Sequence, residues 1–454
     1  MLDEILGESL KADPNKTAVI FQGQRLTYAQ LEARVQLAAN WIKVNTVNPG
    51  TRIALIAKNS TNYLIMYLAI RRTNNIAVLI NPKLPLSLQN KLTADAGCDL
   101  VYHDVDLEYI PSHNDFQDVK CDPDSRGLFL YTSGSTGEPR AAVVTNRQRQ
   151  AVVRRLYKFD PGVELNPRVA VSPFYHMNGL TTVENILAGS GTAVIMAEFN
   201  SREFLKIVLE HRITRLTIVP SMMAMCLEDA FLADNKWDFV RAIVMATSPV
   251  TKNLYDRTKS VFTTANVRVR YGLTEIGPVF GPAPPHLNEP PLTCGYPIEG
   301  VEYKLVDSVL HLRAPSMSHE YHNSANTKIV DGWLNTGDLF RVDQYGFYYF
   351  MGRADDMYKV GGEQVYPTEI ESALENVRGI KQAAVVMLED AVKGYKPYAF
   401  CTGDFDENRV LTALLNTLPR YKIPRRIWSI NELPLMGVGK VDKKQLTQTA
   451  KEQL

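Results

Sequence analysis

Short apolar runs alternating with stretches of helical periodicity are the feature that most narrows what this chain can fold into. Residues 52–57, 77–80 and 99–102 are such runs, set between segments with apolar side chains at three- and four-residue spacing. A run of this length suits a strand buried on both faces, and a helix between two such strands crosses over to make them parallel. The rhythm returns at 169–172, 192–196, 216–219 and 242–245, so a second α/β half is expected. Near the start, Thr27 stands before Leu31, Val35, Ala38 and Ala39, which predicts a helix whose first N–H groups the threonine hydroxyl caps.

Past Gly295 the pattern changes. Residues 303–306 and 309–312 alternate apolar and polar positions, which suggests a small antiparallel or barrel-like region. A boundary falls at Gly352-Arg353-Ala354-Asp355-Asp356, followed by a helix expected over 367–375 and strands around 383–387 and 396–402. The expected fold is therefore α/β. Residues 1–354 form a large N-terminal domain of layered α/β subdomains plus the barrel-like region, and residues 355–454 a small α+β C-terminal domain of lid size.

Fifty Lys and Arg against 49 Asp and Glu give no broad field for nucleic acid or an anionic membrane, so partners should be small or local. The five cysteines, Cys98, Cys121, Cys226, Cys294 and Cys401, form neither a Cys-x-x-Cys pair nor a cluster with His, which fits a reducing compartment. The first residues carry acid where a secretory signal carries base, and no apolar run approaches the roughly 18 residues of a spanning helix. A soluble, cytoplasmic protein is expected.

Chemistry concentrates first in Leu130-Tyr131-Thr132-Ser133-Gly134-Ser135-Thr136-Gly137-Glu138-Pro139-Arg140. Glycines let the backbone turn so that N–H groups and hydroxyls converge on phosphate oxygens, and Arg140 adds positive charge. The stretch does not fit Gly-x-x-x-x-Gly-Lys-Ser/Thr, which disfavours a P-loop nucleotidase. Further on come Pro173-Phe174-Tyr175-His176, Tyr271-Gly272-Leu273-Thr274-Glu275, Thr336-Gly337-Asp338, the 352–356 segment, Lys359-Val360-Gly361-Gly362-Glu363 with Pro367-Thr368-Glu369-Ile370-Glu371, and Gly439-Lys440-Val441.

In content and order, these seven motifs resemble the adenylate-forming superfamily of acyl-CoA synthetases, luciferases and peptide-synthetase adenylation domains, over nearly the whole chain. The resemblance implies ATP-dependent conversion of an aliphatic or aromatic carboxylic acid to acyl-AMP with release of pyrophosphate. The acyl group then passes to a thiol, that of CoA or, alternatively, of a carrier protein's phosphopantetheine arm. ATP and Mg²⁺ are the implied cofactors, with a mobile C-terminal lid. A degenerate nucleotide-binding regulatory homologue is a third reading, against which Glu275, Asp338, Arg353 and Lys440 argue.

The resemblance also implies roles. Thr132, Ser133, Gly134, Ser135, Thr136, Gly137 and Arg140 would surround the phosphates, and Thr247, Ser248, Arg270, Tyr271, Gly272 and Thr274 the adenosine. Asp338 would accept from the ribose hydroxyls, Arg353 reach ribose or phosphate, and Lys440 bridge the carboxylate and the α-phosphate. Glu275 is the expected Mg²⁺ ligand with the Thr136 hydroxyl, since Mg²⁺ takes one or two protein oxygens plus phosphates and water. Thr136, His176, Glu275, Lys359 and Lys440 form the expected catalytic set. Asp355 corresponds to the hinge of the lid, and Gly361 and Gly362 would line the channel of the acceptor thiol beside Lys359.

The expected acyl pocket comprises His176, Met177, Asn178, Gly179, Val219, Thr247, Gly272, Leu273 and Gly277. The absence of an acid from residues 174–179 disfavours an α-amino acid substrate. Two departures from the family pattern stand out: the phosphate loop ends Pro139-Arg140-Ala141 instead of Pro-Lys-Gly, and Ala246-Thr247-Ser248-Pro249 replaces Gly-Gly-Ala-Pro. The chain is also short, without an inserted segment between Ser248 and Arg353, which favours a thiol acceptor.

Overall fold

The computed structural model describes residues 3–46, 48–104, 122–133, 139–159, 167–318, 320–323, 328–436 and 440–454. The helix expected after Thr27 runs Tyr28–Asn45, with a reciprocal cap: Gln30 N–H donates to Thr27 Oγ1 (3.2 Å) and Thr27 N–H to Gln30 Oε1 (2.9 Å). Leu31, Val35, Ala38 and Ala39 are buried on its inner face. Each large aliphatic side chain removed from water in this way contributes roughly 1.5–3 kcal/mol.

The first layer is a six-stranded sheet ordered Glu320–Tyr321, Pro139–Thr145, Arg126–Ser133, Ile76–Leu79, Arg52–Ile56, Leu100–His103. The last four strands are parallel, as the apolar runs predict. Arg126–Ser133 and Pro139–Thr145 instead form an antiparallel hairpin, whose outer edge is closed by Glu320–Tyr321 from far along the chain. The second layer begins with a sheet of Gln24–Thr27, Thr17–Phe21, Ala193–Ile195 and Arg168–Ala170. Thr17–Phe21 pairs antiparallel with its sequence neighbour Gln24–Thr27 on one side and parallel with Ala193–Ile195 on the other, which joins the two halves.

Beside it lie the parallel strands Arg215–Ile218, Ala242–Ala246 and Asn266–Arg270. Arg168 Nη2 donates to Thr217 Oγ1 (3.3 Å) between the two sheets. Ile218 pairs with Met245 and Ala246 with Arg270, so Val219, Thr247 and Tyr271 emerge side by side at the carboxyl edge of these strands, where open α/β sheets bind ligands. The barrel-like region is an antiparallel sheet of Glu302–Val306, Val309–Arg313, Trp333–Val342, Ile329–Val330 and Tyr348–Arg353 around its own core.

After residue 357 the chain builds a separate sheet from Glu363–Val365, Tyr358–Val360, Gly394–Gly403, Ile380–Asp390 and Ile427–Ser429. Helix Pro367–Glu375 packs on one face with Val385 and Ala399, and helix Lys443–Glu452 on the other with Phe400 and Trp428. Among the described residues, neither core draws one from before Tyr358. Polar groups join this unit to the rest, Lys381 pairing with Glu228 and Glu375 bonding the Thr251 side chain.

Burial pushes the Glu375 carboxyl up to about 7 and Glu371 adds to this, while Thr251, the Ala383 amide and Arg257 oppose it. The folded chain then holds this proton more tightly than the unfolded chain, so ionising Glu375 costs stability progressively as pH rises from about 4.5 to about 7. Glu375→Gln is expected to raise the melting temperature by several degrees at pH 8 and by nothing at pH 4. Thermal melts across that range check the difference.

Candidate active site

The phosphate-loop candidate sits at the tip of the antiparallel hairpin. Tyr131 pairs with Ala141, Thr132 with Arg140 and Ser133 with Pro139, and the Tyr131 hydroxyl donates to Leu92 O (2.7 Å). Gly134, Ser135, Thr136 and Gly137 lie outside the described residues, as do the side chains of Thr132 and Ser133.

Asp338 stands opposite Arg353 on neighbouring antiparallel strands, and this register makes their ion pair, Arg353 Nη1 to Asp338 Oδ1 at 2.8 Å. The Tyr271 hydroxyl donates to the other oxygen. Asp338 is 4% exposed, and its burial raises the pKa while the bond from Tyr271 and the charge of Arg353 lower it. The Tyr271 ring is held edge-on to Phe340 (4.9 Å between centroids) and packs near Phe280 and Phe350. Arg353 also donates from Nε and Nη2 to the Asp355 carboxylate (2.7 and 2.8 Å), so the expected hinge residue is tied to the nucleotide-side cluster.

Glu275 is 9% exposed, its carboxylate accepting from the Tyr321 hydroxyl and its carbonyl from Ser318 N–H (2.6 Å). Lys440 arrives from the C-terminal unit. It retains exposed surface, yet its ammonium is shielded from water, which lowers its pKa; Asp338 raises it, Arg353 lowers it further and Glu275 raises it. Two carboxylates and two cations from four separate segments therefore interact at one place.

His176 belongs to the same cluster. Asn59 pins its loop, donating from Nδ2 to Ser172 O (3.0 Å) and accepting at Oδ1 from Phe174 N–H (2.8 Å). The imidazole packs on Tyr175 (4.5 Å) at the start of helix Met177–Ala188, and its buried Nε2 has no hydrogen-bond partner among the described residues. Burial drives its pKa down to about 3, the nearby Lys440 charge adding to the effect, so the ring is neutral at physiological pH. Beneath it, the Arg149–Glu184 ion pair is fully buried. Arg149 Nη1 donates to Met177 Sδ (2.9 Å) and Thr181 Oγ1 (3.0 Å), and Tyr67 donates to Glu184 (2.6 Å).

Several expected contacts have other occupations. Arg270 is committed to Glu289 (2.6 and 2.9 Å) and to the Val269 carbonyl. Met177 faces Arg149, Asn178 donates to Ser172 Oγ (3.0 Å), and Val219, 2% exposed, packs in the core of the second layer. Gly179 is required by close approach, since a Cβ there would meet Pro173 O at 2.2 Å; likewise one on Gly272 would meet Gly277 O at 2.7 Å. Leu273 packs against the barrel core and pairs with Gly277, and Thr274 is half-buried beside them. Lys359, Gly361 and Gly362 are exposed on the hairpin Tyr358–Val360/Glu363–Val365, the two glycines having φ +62° and +93° as a two-residue turn requires. Sequence reasoning missed Tyr321, Asn59, Arg149 and Glu184, none of which carries a local motif.

The cluster suits a magnesium nucleotide. Among the described residues no group of three or more His, Cys, Asp and Glu gathers as a metal site, and a single carboxylate such as Glu275 is what Mg²⁺ carried on phosphates needs. Thr247 Oγ1 and Ser248 Oγ are buried without partners among the described residues, at the carboxyl edge of the strands. Thr247 also has φ +79°, a conformation costly for a β-branched residue.

An AMP-binding fold with a smaller C-terminal unit is what these features define, and the family comparison agrees. The AMP-binding enzyme model matches residues 6–117 and 104–315, and the AMP-binding enzyme C-terminal domain matches 369–440. The chain belongs to the AMP-binding enzyme family. It is 28% identical to the fatty acid–[acyl-carrier-protein] ligase ScoC of Streptomyces coeruleorubidus, over 96% of this chain and 93% of that one. Identity to the 2-succinylbenzoate–CoA ligase of Listeria monocytogenes is 24%, over 98% of each chain. The anthranilate CoA ligase AuaEII, solved with anthranoyl-AMP, superposes with a TM-score of 0.90 at 21% identity, over 98% of this chain and 96% of that one.

Thr247→Gly should relieve the backbone strain and remove a buried unpaired hydroxyl, each worth about 1–3 kcal/mol, against about 1 kcal/mol of glycine entropy. We expect a net gain of at least about 1 kcal/mol in denaturant unfolding. A loss of stability would mean that the threonine packs favourably where it stands.

Proposed function

We propose that this chain is an AMP-forming acid–thiol ligase that activates a carboxylic acid with ATP and transfers the acyl group to CoA. One observation carries the assignment of roles: the Lys440 ammonium, from the C-terminal unit, lies within electrostatic reach of Asp338, Glu275, Arg353 and His176.

In the first step a carboxylate oxygen of the acid attacks the α-phosphorus of ATP, and the bond to the β-phosphate oxygen breaks to release pyrophosphate. Nucleophile and electrophile are both anionic, so catalysis rests on neutralising and aligning them. We assign Lys440 to this task as a shielded point charge between the acid and the α-phosphate. Asp338, held by Tyr271 and Arg353, would accept from the ribose hydroxyls, with the Tyr271 ring at the base. Glu275 would hold Mg²⁺, which when bound supplies charge compensation on the phosphates.

In the second step the thiol sulfur attacks the acyl carbonyl, its proton passes to solvent or base, and AMP leaves. Lys440 has no part in that attack, and we propose that residues 355–454 turn about Asp355 as a lid between the steps. Their separate cores and polar contact with the body support this. The turn would bring Lys359, Gly361 and Gly362, now exposed, beside the thiol. His176, neutral and unpartnered at Nε2, would border an acyl pocket that takes an uncharged portion of the acid. The likeness to an acyl-carrier-protein ligase keeps a carrier's phosphopantetheine thiol as the second acceptor. No described helix is long and apolar enough to cross a membrane, and we place the enzyme in the cytoplasm, where ATP and CoA are available.

Pyrophosphate release across a panel of acids, with and without CoA, tests the activity itself. Lys440→Ala is expected to lower acyl-adenylate formation at least 100-fold, the order of loss when a preorganised charge is removed, while thioester formation from supplied acyl-AMP stays within about threefold. Equal loss of both half-reactions in single-turnover assays would refute the role given to Lys440.

A further inference from the structure

Glu320–Tyr321 is a two-residue strand that would be unremarked in the sequence, yet it occupies the position between the two parts of the site that must act on phosphate. Its backbone pairs with Ala142 and Val143 on the outer strand of the phosphate hairpin. The Tyr321 side chain is buried, and its hydroxyl donates to Glu275 Oε1, whereas Glu275 Oε2 accepts no hydrogen bond among the described residues. The same segment grips Glu275 a second time through Ser318 N–H on the Glu275 carbonyl (2.6 Å), and Ser318 Oγ donates to Val143 O (2.6 Å). Arg140, on the hairpin, lies within electrostatic reach of the Tyr321 hydroxyl. The strand is anchored at its other side by an Arg126–Glu320 ion pair (2.6 Å).

We propose that Tyr321 is a positioning residue for the metal-binding carboxylate, fixing Glu275 by one oxygen so that the other remains available to Mg²⁺ and tying that carboxylate to the hairpin that carries the phosphate loop. A free glutamate can rotate about three side-chain torsions, and only a fraction of those conformers offers an oxygen to a metal riding on the nucleotide. The phenol removes that freedom before the nucleotide arrives. Its hydrogen bond also takes up a lone pair on Oε1, which favours binding of the metal through a single oxygen, the mode suited to Mg²⁺ with its strict octahedral geometry. A tyrosine packed only as an edge cap of the sheet would need no bond to Glu275. The inference rests on the assignment of Glu275 as the metal ligand.

The test uses Mn²⁺ as a spectroscopic stand-in for Mg²⁺, titrated by electron paramagnetic resonance into the full chain with a non-hydrolysable ATP analogue. Groups that orient a metal's ligand typically change affinity 10–100-fold when removed, so Tyr321→Phe is expected to raise the Mn²⁺ dissociation constant on the order of tenfold. The Mg²⁺ concentration for half-maximal adenylation should rise in parallel, with the KM of the acid unchanged. Tyr321→Phe added to Glu275→Gln should weaken Mn²⁺ no further than Glu275→Gln alone. Circular dichroism below the melting midpoint of each variant fixes the folded fraction used in the titrations. Parent-like Mn²⁺ binding by Tyr321→Phe or multiplicative effects in the double variant would each overturn the inference while leaving Glu275 as ligand. Parent-like binding by Glu275→Gln would remove the assignment of Glu275 and the inference with it.

Discussion

The buried carboxylate of Asp338 is the constraint around which the cleft is organised. A charge with 4% of its surface in water is tolerated only when paired and hydrogen-bonded, and here Tyr271 supplies one bond and Arg353 the other. Arg353 can do so because strand register puts it directly across from Asp338. The same guanidinium then holds Asp355, and the Ala354 amide donates to the Gly337 carbonyl (2.8 Å). The aromatic core of the barrel-like region, the strand that bears Asp338 and the first residues of the C-terminal unit are thus joined through one charge.

Around that anchor the site holds groups in states they would avoid elsewhere. The Lys440 ammonium is desolvated although the residue keeps exposed surface, His176 is held neutral with Nε2 unpartnered among the described residues, and Thr247 adopts a left-handed backbone, its own hydroxyl and that of Ser248 unpaired among the described residues. Each costs stability, and each would gain a partner from an acid or nucleotide in the cleft. The rigid parts supply the compensation: the Arg149–Glu184–Tyr67 network under His176 and the Asn59 bridge to its loop keep the strained groups from relaxing by local movement.

Much of this was legible in the sequence where the signal is local. The Thr27 cap, helix Pro367–Glu375 and the paired strands after residue 301 follow from patterns only a few residues long. The joining of Thr17–Phe21 to Ala193–Ile195 and of Glu320–Tyr321 to the phosphate hairpin was not, because pairing partners more than 170 residues apart leave no local trace. The site divides in the same way. Asp338, Arg353, Glu275, His176 and Lys440 stand in motifs and converge in the fold, whereas Tyr321 acts through a hydroxyl whose partner is 46 residues away. Arg270, Val219 and Gly179, expected as ligand contacts, also have structural duties that their motifs do not reveal: an ion pair with Glu289, a place in the second core and a close backbone approach.

By itself the sequence determined the classes of element, the two α/β halves with their smaller C-terminal partner, and the residue types able to handle a nucleotide and an acid. Periodicity, capping and turn chemistry are properties of neighbouring residues, and they survive in a linear string. Tertiary structure alone decided which oxygen of Asp338 meets which donor, that Glu275 is clasped by a distant tyrosine, and that Lys440 lies close enough to Asp338 for its charge to be felt. Those facts depend on distances between segments brought together by burial of apolar faces, and an electrostatic interaction is set by separation and shielding from water, neither of which a sequence contains.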